Sequence, residues 1–363
     1  MDKSITNLPV VASSPPVSLT RWKSRVYAII GLSVLLLGVA ILAVAIGTVR
    51  IPLATIIQVL AVKVLPWLNP GQTWSPGTET IILEVRLPRV ILAGLVGAAL
   101  SIAGATYQGL FRNPLADPYL IGVAQGASLG AVIGFLAPVS ASVFGVRVIP
   151  LFAFAGALAS TTIVYLLSRT GKTLPVTTVI LAGVALGALL GSVVSYLLIS
   201  SDDKLHGIIF WMMGSFSLSR WADVGAVLPY VAASTVVILL CARPLNIVQL
   251  DEEQARQLGV NVERLKLILV IAATLITAAA VSFVGTIGFV GIIVPHAVRL
   301  VWGADHRFLL PLSVLSGAIF LVLADLIART VQAPAEVPVG VITALCGAPF
   351  FLYLLRQRKK TII

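Results

Sequence analysis

Residues 267–298 read LILVIAATLITAAAVSFVGTIGFVGIIVPHAV, 32 positions without a formal charge. One bilayer crossing takes about 20 apolar residues and two with a turn take about 40, so the run is too long for one and short for two. Its glycines Gly285 and Gly288 bracket Thr286 and Ile287 and interrupt the helical pattern. We therefore place a turn at 285–288, a span before it, and a shortened or broken helix after it.

The rest of the chain agrees with a membrane setting. Of 363 residues, 58% are hydrophobic and only 11% charged, with a mean hydropathy of +1.04. That balance excludes a soluble domain of this size and leaves no room for a large water-soluble unit beside the spans. The alternating ten-residue segments of a membrane β-barrel are absent. Apolar runs predict ten helices near 26–49, 89–111, 119–137, 147–167, 175–200, 222–242, 265–284, 287–303, 308–328 and 337–355. The fold class is thus all-α, a polytopic membrane protein of about ten transmembrane helices. Residues 1–25 read as a polar N-terminal tail, 26–355 as the ten-helix domain and 356–363 as a basic C-terminal tail. The apolar run at 26–49 exceeds a signal-peptide core, so it reads as an uncleaved first helix.

The net charge of +11 does not indicate nucleic acid, because the basic residues lie in short clusters between apolar runs, where they encode topology. With the N-terminus inside, 17 of the 25 Lys and Arg fall on the inner side. Both termini are then cytoplasmic. Three segments fit neither span nor tight loop. Residues 51–65 (IPLATIIQVLAVKVL) suggest a surface helix followed by a Pro/Gly-rich link. Residues 205–217 suggest a short helix at the outer surface or dipping in. Residues 244–266 (PLNIVQLDEEQARQLGVNVERLK) are the most charged stretch, with acids first and bases later, and predict two short inner helices joined at LGV.

Sites for chemistry are scarce. Gly171, Lys172 and Thr173 end like a phosphate loop, but Leu166 stands where the motif needs glycine. Gly285, Gly288 and Gly291 lack the strand of a dinucleotide site and read as packing or a helix break. Gly122, Gly126 and Gly130, like Gly183, Gly187 and Gly191, form small-residue stripes for close helix packing. His206, His296 and His306 are scattered, and Cys241 and Cys346 are far apart, so neither a metal site nor a disulfide is indicated. Asp325, well inside a span, is either a proton relay or a polar lock between helices near the outer end, and we favour the lock. Arg86, Arg89 and Arg329 at outer helix ends are either snorkelling anchors or a docking patch for an acidic partner.

The runs RLPR (86–89), FRNPLADP (111–118), LAGVALGALLGS (181–192), WMMGSFS (211–217), EEQARQLGV (252–260), GTIGFVGIIVPH (285–296), LADLIAR (323–329) and AEVPVGVITALCGAPFF (335–351) resemble, in order and spacing, the permease subunits of type II ABC importers. This is the iron-siderophore, haem and cobalamin permease family, often called FecCD. The resemblance implies a bacterial inner-membrane transport subunit and not an enzyme. It implies a dimer with itself or a similar permease, two cytoplasmic ABC ATPases that bind ATP and Mg, an extracytoplasmic substrate-binding protein, and no cofactor on this chain. It places Glu252, Gln254, Ala255, Arg256, Leu258 and Gly259 in an ATPase groove, and points to Arg86, Arg89 and Arg329 as contacts for the binding protein. Asn113 and Leu115, with Thr177 and Thr178, become the cytoplasmic gate. The expected substrate is a ferric siderophore, with haem and cobalamin as the other members of the class. A proton-driven carrier using Asp325 is the rival reading, and a membrane-embedded enzyme the third.

Overall fold

Backbone in an apolar phase has only protein to bond to, so apolar runs of this length fold as helices. The computed structural model describes residues 19–47, 49–64, 67, 74–138, 142–143, 146–171 and 173–360. In chain order the helices are α1 (Leu19–Ala45), α2 (Leu53–Val64), α3 (Pro76–Thr80), α4 (Leu87–Leu110), α5 (Val123–Leu136), α6 (Val148–Ser168), α7 (Val176–Ile199) and α8 (Leu205–Met212). They continue with α9 (Trp221–Leu240), α10 (Ala242–Val248), α11 (Glu252–Gln257), α12 (Val262–Val284), α13 (Val290–Trp302), α14 (His306–Ala328) and α15 (Val339–Lys360). Among the described residues, other pairing is limited to Ser142–Val143 with Val146–Arg147 and a bridge between Thr170 and Thr173.

Among the described residues seven segments are long and apolar enough to cross a membrane, and the three other expected spans are the shorter apolar helices α5, α13 and Val339–Leu352 of α15. The turn at 285–288 is where the long uncharged run breaks, and α13 is short, as its length required. The second span differs from expectation. A π-helical stretch, Ile81–Arg86, joins α3 to α4, so one helix runs Pro76–Leu110. Its start is set by Ser75, whose hydroxyl accepts the Thr78 N–H at 3.2 Å, with Pro76 at the first helical position; Pro lacks the N–H that a first turn leaves unpaired. Half of the expected Pro/Gly-rich link is therefore helix.

The ends also shift. Residues 1–18 and 361–363 of the two expected tails lie outside the described residues, but α1 already begins at Leu19 and α15 continues to Lys360. In the charged stretch 244–266 the expected joint at Leu258, Gly259 and Val260 exists, with Gly259 at φ +82°. The second of the two expected short helices is, however, the first turns of α12, while α10 and α11 lie ahead of the joint.

α4 is the hub, packed by α14, α12, α13 and α9 and buried along almost its whole length. Glycine makes the approaches close: a Cβ on Gly104 would fall on the Gly291 backbone, and one on Gly126 on the Gly156 carbonyl. The stripe 122–126–130 thus packs α5 onto α6. The stripe 183–187–191 on α7 packs tightly at Gly183, against the Leu120 carbonyl, and loosely at Gly187, where a Cβ would lie 3.6 Å from the Gln125 side chain, while Gly191 has nothing within 4 Å. We expect Gly104→Ala, which forces a methyl onto backbone, to destabilise by about 1–3 kcal/mol and lower the melting midpoint in detergent. Gly191→Ala is the matched control and should leave it unchanged or slightly raised; equal effects would refute this packing.

Candidate functional site

At the end of the bundle where α4 begins, a buried polar cluster ties four elements. Arg89 presents Nε and Nη2 to the Asp325 carboxylate of α14 at 2.8–3.1 Å and Nη1 and Nη2 to Glu336 at 2.7 and 3.1 Å. Such two-toothed guanidinium contacts are strong and fix orientation. Asp325 also faces Arg329 at 3.6 Å. Arg329 donates to the Ala43 carbonyl, and Arg86 to Val44 O at 2.7 Å, Ala45 O at 3.0 Å and Val49 O. Ser217 donates to Glu336 at 2.7 Å. Burial alone would raise the Glu336 carboxyl, but hydrogen bonding and charge from Arg89, with Ser217, hold it below its ordinary value.

In the single chain Arg86, Arg89 and Arg329, expected as contacts for a binding protein, have internal partners. They are only 5%, 8% and 6% exposed, and their guanidiniums serve the chain's own carbonyls and carboxylates, so they are not cations displayed on a surface. Desolvation is the reason: a cation at the end of a packed helix is stabilised by internal acceptors once water is gone. Asp325, 1% exposed, lies between the Arg89 and Arg329 guanidiniums, the geometry of a polar lock.

At the opposite end of α4 the chain turns through 111–117 toward a cavity of about 580 Å³. Leu115 and Asp117 from this loop, Tyr119 and Leu120 from the following 3-10 turn, and Gln125 of α5 form one wall. Gly183, Val184, Gly187 and Ala188 of α7 form another, and Gly288, Phe289 and Ile292 at the helix break a third. Most of this lining is apolar or small. Asn113 shapes the loop, its Oδ1 accepting the Leu115 N–H at 3.0 Å and its carbonyl the Ala116 N–H at 3.1 Å. Of the four expected gate residues, Leu115 lines the cavity and Asn113 holds it there. Thr177 and Thr178 sit in the first turn of α7, below the part of that helix that lines the cavity.

Sequence reasoning missed Asp117, Tyr119, Gln125 and Phe289. Asp117 caps the 3-10 turn, its Oδ1 accepting the Tyr119 N–H at 2.7 Å; an Asp-Pro pair ahead of an apolar run is the signal for such a cap. Burial pushes the Asp117 carboxyl up to about 6, against the pull of that hydrogen bond. The Tyr119 hydroxyl bonds both the carbonyl and the N–H of Ile287, each at 3.1 Å, and so clamps the break. Phe289 holds φ +71°, a left-handed backbone uncommon for a bulky residue, and its ring lies 6.4 Å from that of Phe351 at a tilt of 43°.

The expected ATPase-contact segment shares this end. Ala255 is fully buried, whereas Gln254, Arg256, Leu258 and Gly259 are exposed and Glu252 half-buried. Lys266 of α12, 5% exposed, anchors α11 through Glu252 at 2.9 Å and also faces Glu263 of its own helix at 3.7 Å. Leu250 and Leu258, 66% and 65% exposed, flank the helix as uncovered apolar side chains.

A family model described as the FecCD transport family matches residues 35–357. The chain belongs to the FecCD transport family. It is 49% identical over 303 residues, 81% of this chain and 80% of the relative, to the cobalamin import system permease protein BtuC of Halobacterium salinarum. To the hemin transport system permease protein HmuU of Yersinia pestis it is 42% identical over 86% of this chain and 97% of that one. To the Fe(3+) dicitrate transport system permease protein FecD of Escherichia coli K12 it is 38% identical over 82% and 92%. Among solved structures, a chain assigned to the metal-chelate type of ABC transporter, in an inward-facing conformation, superposes with a TM-score of 0.78 at 32% identity, covering 91% of this chain and 98% of that one. The protein is therefore a multi-pass membrane permease subunit of the ABC importer class.

Two measurements test the site. Asp325→Asn and Arg89→Gln should each destabilise by about 2–5 kcal/mol, because each breaks a buried bidentate pair and leaves the survivor only its second partner, Glu336 for Arg89 or Arg329 for Asp325; the double variant should lose much less than the sum, and additivity in thermal unfolding would refute the lock. For Asp117 the folded carboxyl holds its proton up to about pH 6 while the unfolded one loses it near 4. Stability relative to Asp117→Asn should therefore fall as pH rises from 4 to 6 and level off above; a constant difference across that range would remove the assignment.

Proposed function

We propose that this permease carries a bulky metal chelate through the cavity between α7, the 111–121 loop and the break at 285–288, by alternating access driven by separate ATPase subunits. The observation that carries the reading is the cavity itself: an apolar, small-residue wall beside an interrupted helix binds a large organic chelate weakly, and weak binding is what release on the far side requires. α7 leaves most of its apolar surface uncovered in the single chain, which suits a second permease copy closing the pathway there. The exposed surface of α11 with Leu258 and Gly259 is the contact for the ATPase, and Asn113 and Leu115, with Thr177 and Thr178 below them, narrow the pathway on that side.

The chelate class spans the cobalamin, hemin and ferric dicitrate named for the relatives, along with the ferric siderophore expected from sequence. Delivery by a substrate-binding protein follows from the importer class. Its acidic groups meet Arg86, Arg89 and Arg329, which docking draws away from their internal partners, Glu336 first among them. Proton coupling through Asp325 has no support, since two guanidiniums hold the carboxylate.

Proteoliposomes holding the permease, its ATPase and its binding protein should accumulate one of labelled cobalamin, haemin, ferric citrate or a ferric siderophore only with ATP. Leu258→Asp with Gln254→Ala should cut uptake at least tenfold and weaken ATPase recovery on purification. Accumulation that follows a proton gradient and ignores ATP would overturn the reading.

A further inference from the structure

α4 ends in a two-bond wrap: the Asn113 N–H returns to the Gln108 carbonyl at 3.1 Å and the Arg112 N–H to the Gly109 carbonyl at 3.3 Å. This is a Schellman ending, in which the residue just past the helix adopts a left-handed backbone and is most often glycine. Here it is Arg112, at φ +51°. Arginine brings a Cβ strain that glycine would relieve, so backbone physics alone disfavours it.

The side chain has a use elsewhere. Its Nη1 lies 3.5 Å from Asp251 and its Nη2 3.9 Å from Glu252, the residues that open α11. A second tie runs in parallel, from the Gln249 amide to the same Gly109 carbonyl. The carbonyl that closes α4 and the side chain that follows it are thus both held by the α10–α11 segment. On the other side of Arg112, the next residue is Asn113, whose side chain holds Leu115 at the cavity and whose carbonyl takes the Ala116 N–H behind it. The Arg112 pair is exposed on both sides, 41% and 48%, so it adds little to stability and breaks readily.

We propose that Arg112 is a positioning residue that couples α11 to the 111–117 loop, so that displacement of α11 turns the strained α4 ending and moves Leu115 across the cavity mouth. The inference rests on the reading of α11 as the ATPase contact and of 111–117 as the gate.

The test compares Arg112→Gly, Arg112→Glu and the exchange Arg112→Glu with Asp251→Arg in proteoliposomes, reading chelate uptake, ATP hydrolysis and melting midpoint together. Glycine suits the left-handed position, so a merely structural role predicts an equal or higher midpoint with normal transport. The coupling role predicts the same midpoint, hydrolysis within twofold of wild type, and uptake per ATP down at least tenfold in both single variants. The exchange should recover uptake to within threefold of wild type. Normal uptake per ATP in Arg112→Gly, or an exchange no better than Arg112→Glu alone, overturns the proposal. Failure of the unaltered permease to couple uptake to ATP would instead sink the functional reading, and this inference with it.

Discussion

The hydroxyl of Tyr119 meets both backbone groups of Ile287, and that contact answers the constraint on which this fold depends: backbone without a helix inside an apolar phase must find its partners in protein. The neighbouring groups of the break are met in turn. Gly285 N–H reaches Val281 O at 2.8 Å, Val284 O takes the Ser215 N–H at 2.8 Å, and the Thr286 hydroxyl donates to Met212 O. The loop after α8 repeats the pattern, with Gly214 O and Met213 O accepting the N–H groups of Val339 and Gly340 at 2.9 and 3.1 Å. α8, the break, the start of α15 and Tyr119 are therefore one junction. Because its polar groups are consumed internally, the adjoining cavity wall is left to glycine and apolar side chains.

What the sequence made legible follows from how local each signal is. The break at 285–288 was readable because two crossings do not fit in an uncharged run of that length, a constraint that needs no partner. Loop 111–117 and α11 were readable from motifs of eight or nine contiguous residues. The arginines were not. Arg89 and Asp325 are separated by 236 positions, and nothing local tells a cation that meets water from one that meets a carboxylate across the bundle. The usable hints were Asp325 in mid-span, four residues before Arg329, and Glu336 just beyond: acids set among expected docking bases are their natural partners. The early start at Pro76 is hidden because Pro and Gly read locally as breakers, whereas Ser75 before Pro76 marks a helix entry. Phe289 gave no signal, since a left-handed backbone at a bulky residue is imposed by packing and is not encoded in side-chain type.

The two ends of α4 are built on opposite electrostatic terms, and the difference assigns their mobility. At its start, Arg89 and Asp325 are a desolvated pair with bidentate geometry; separating them leaves each only its second partner and costs about 2–5 kcal/mol. At its other end, the pairs of Arg112 are half in water and worth about 0–1 kcal/mol each. A helix clamped at one end and lightly tied at the other moves at the light end. That end carries the loop bearing Leu115 and borders the only exposed apolar side chains of the α10–α11 segment among the described residues, Leu250 and Leu258. On the proposed reading, force applied to α11 divides between the buried Lys266–Glu252 tie to α12 and the Arg112 turn. It is at the turn, where the backbone is strained and the pairs are half in water, that the chain yields.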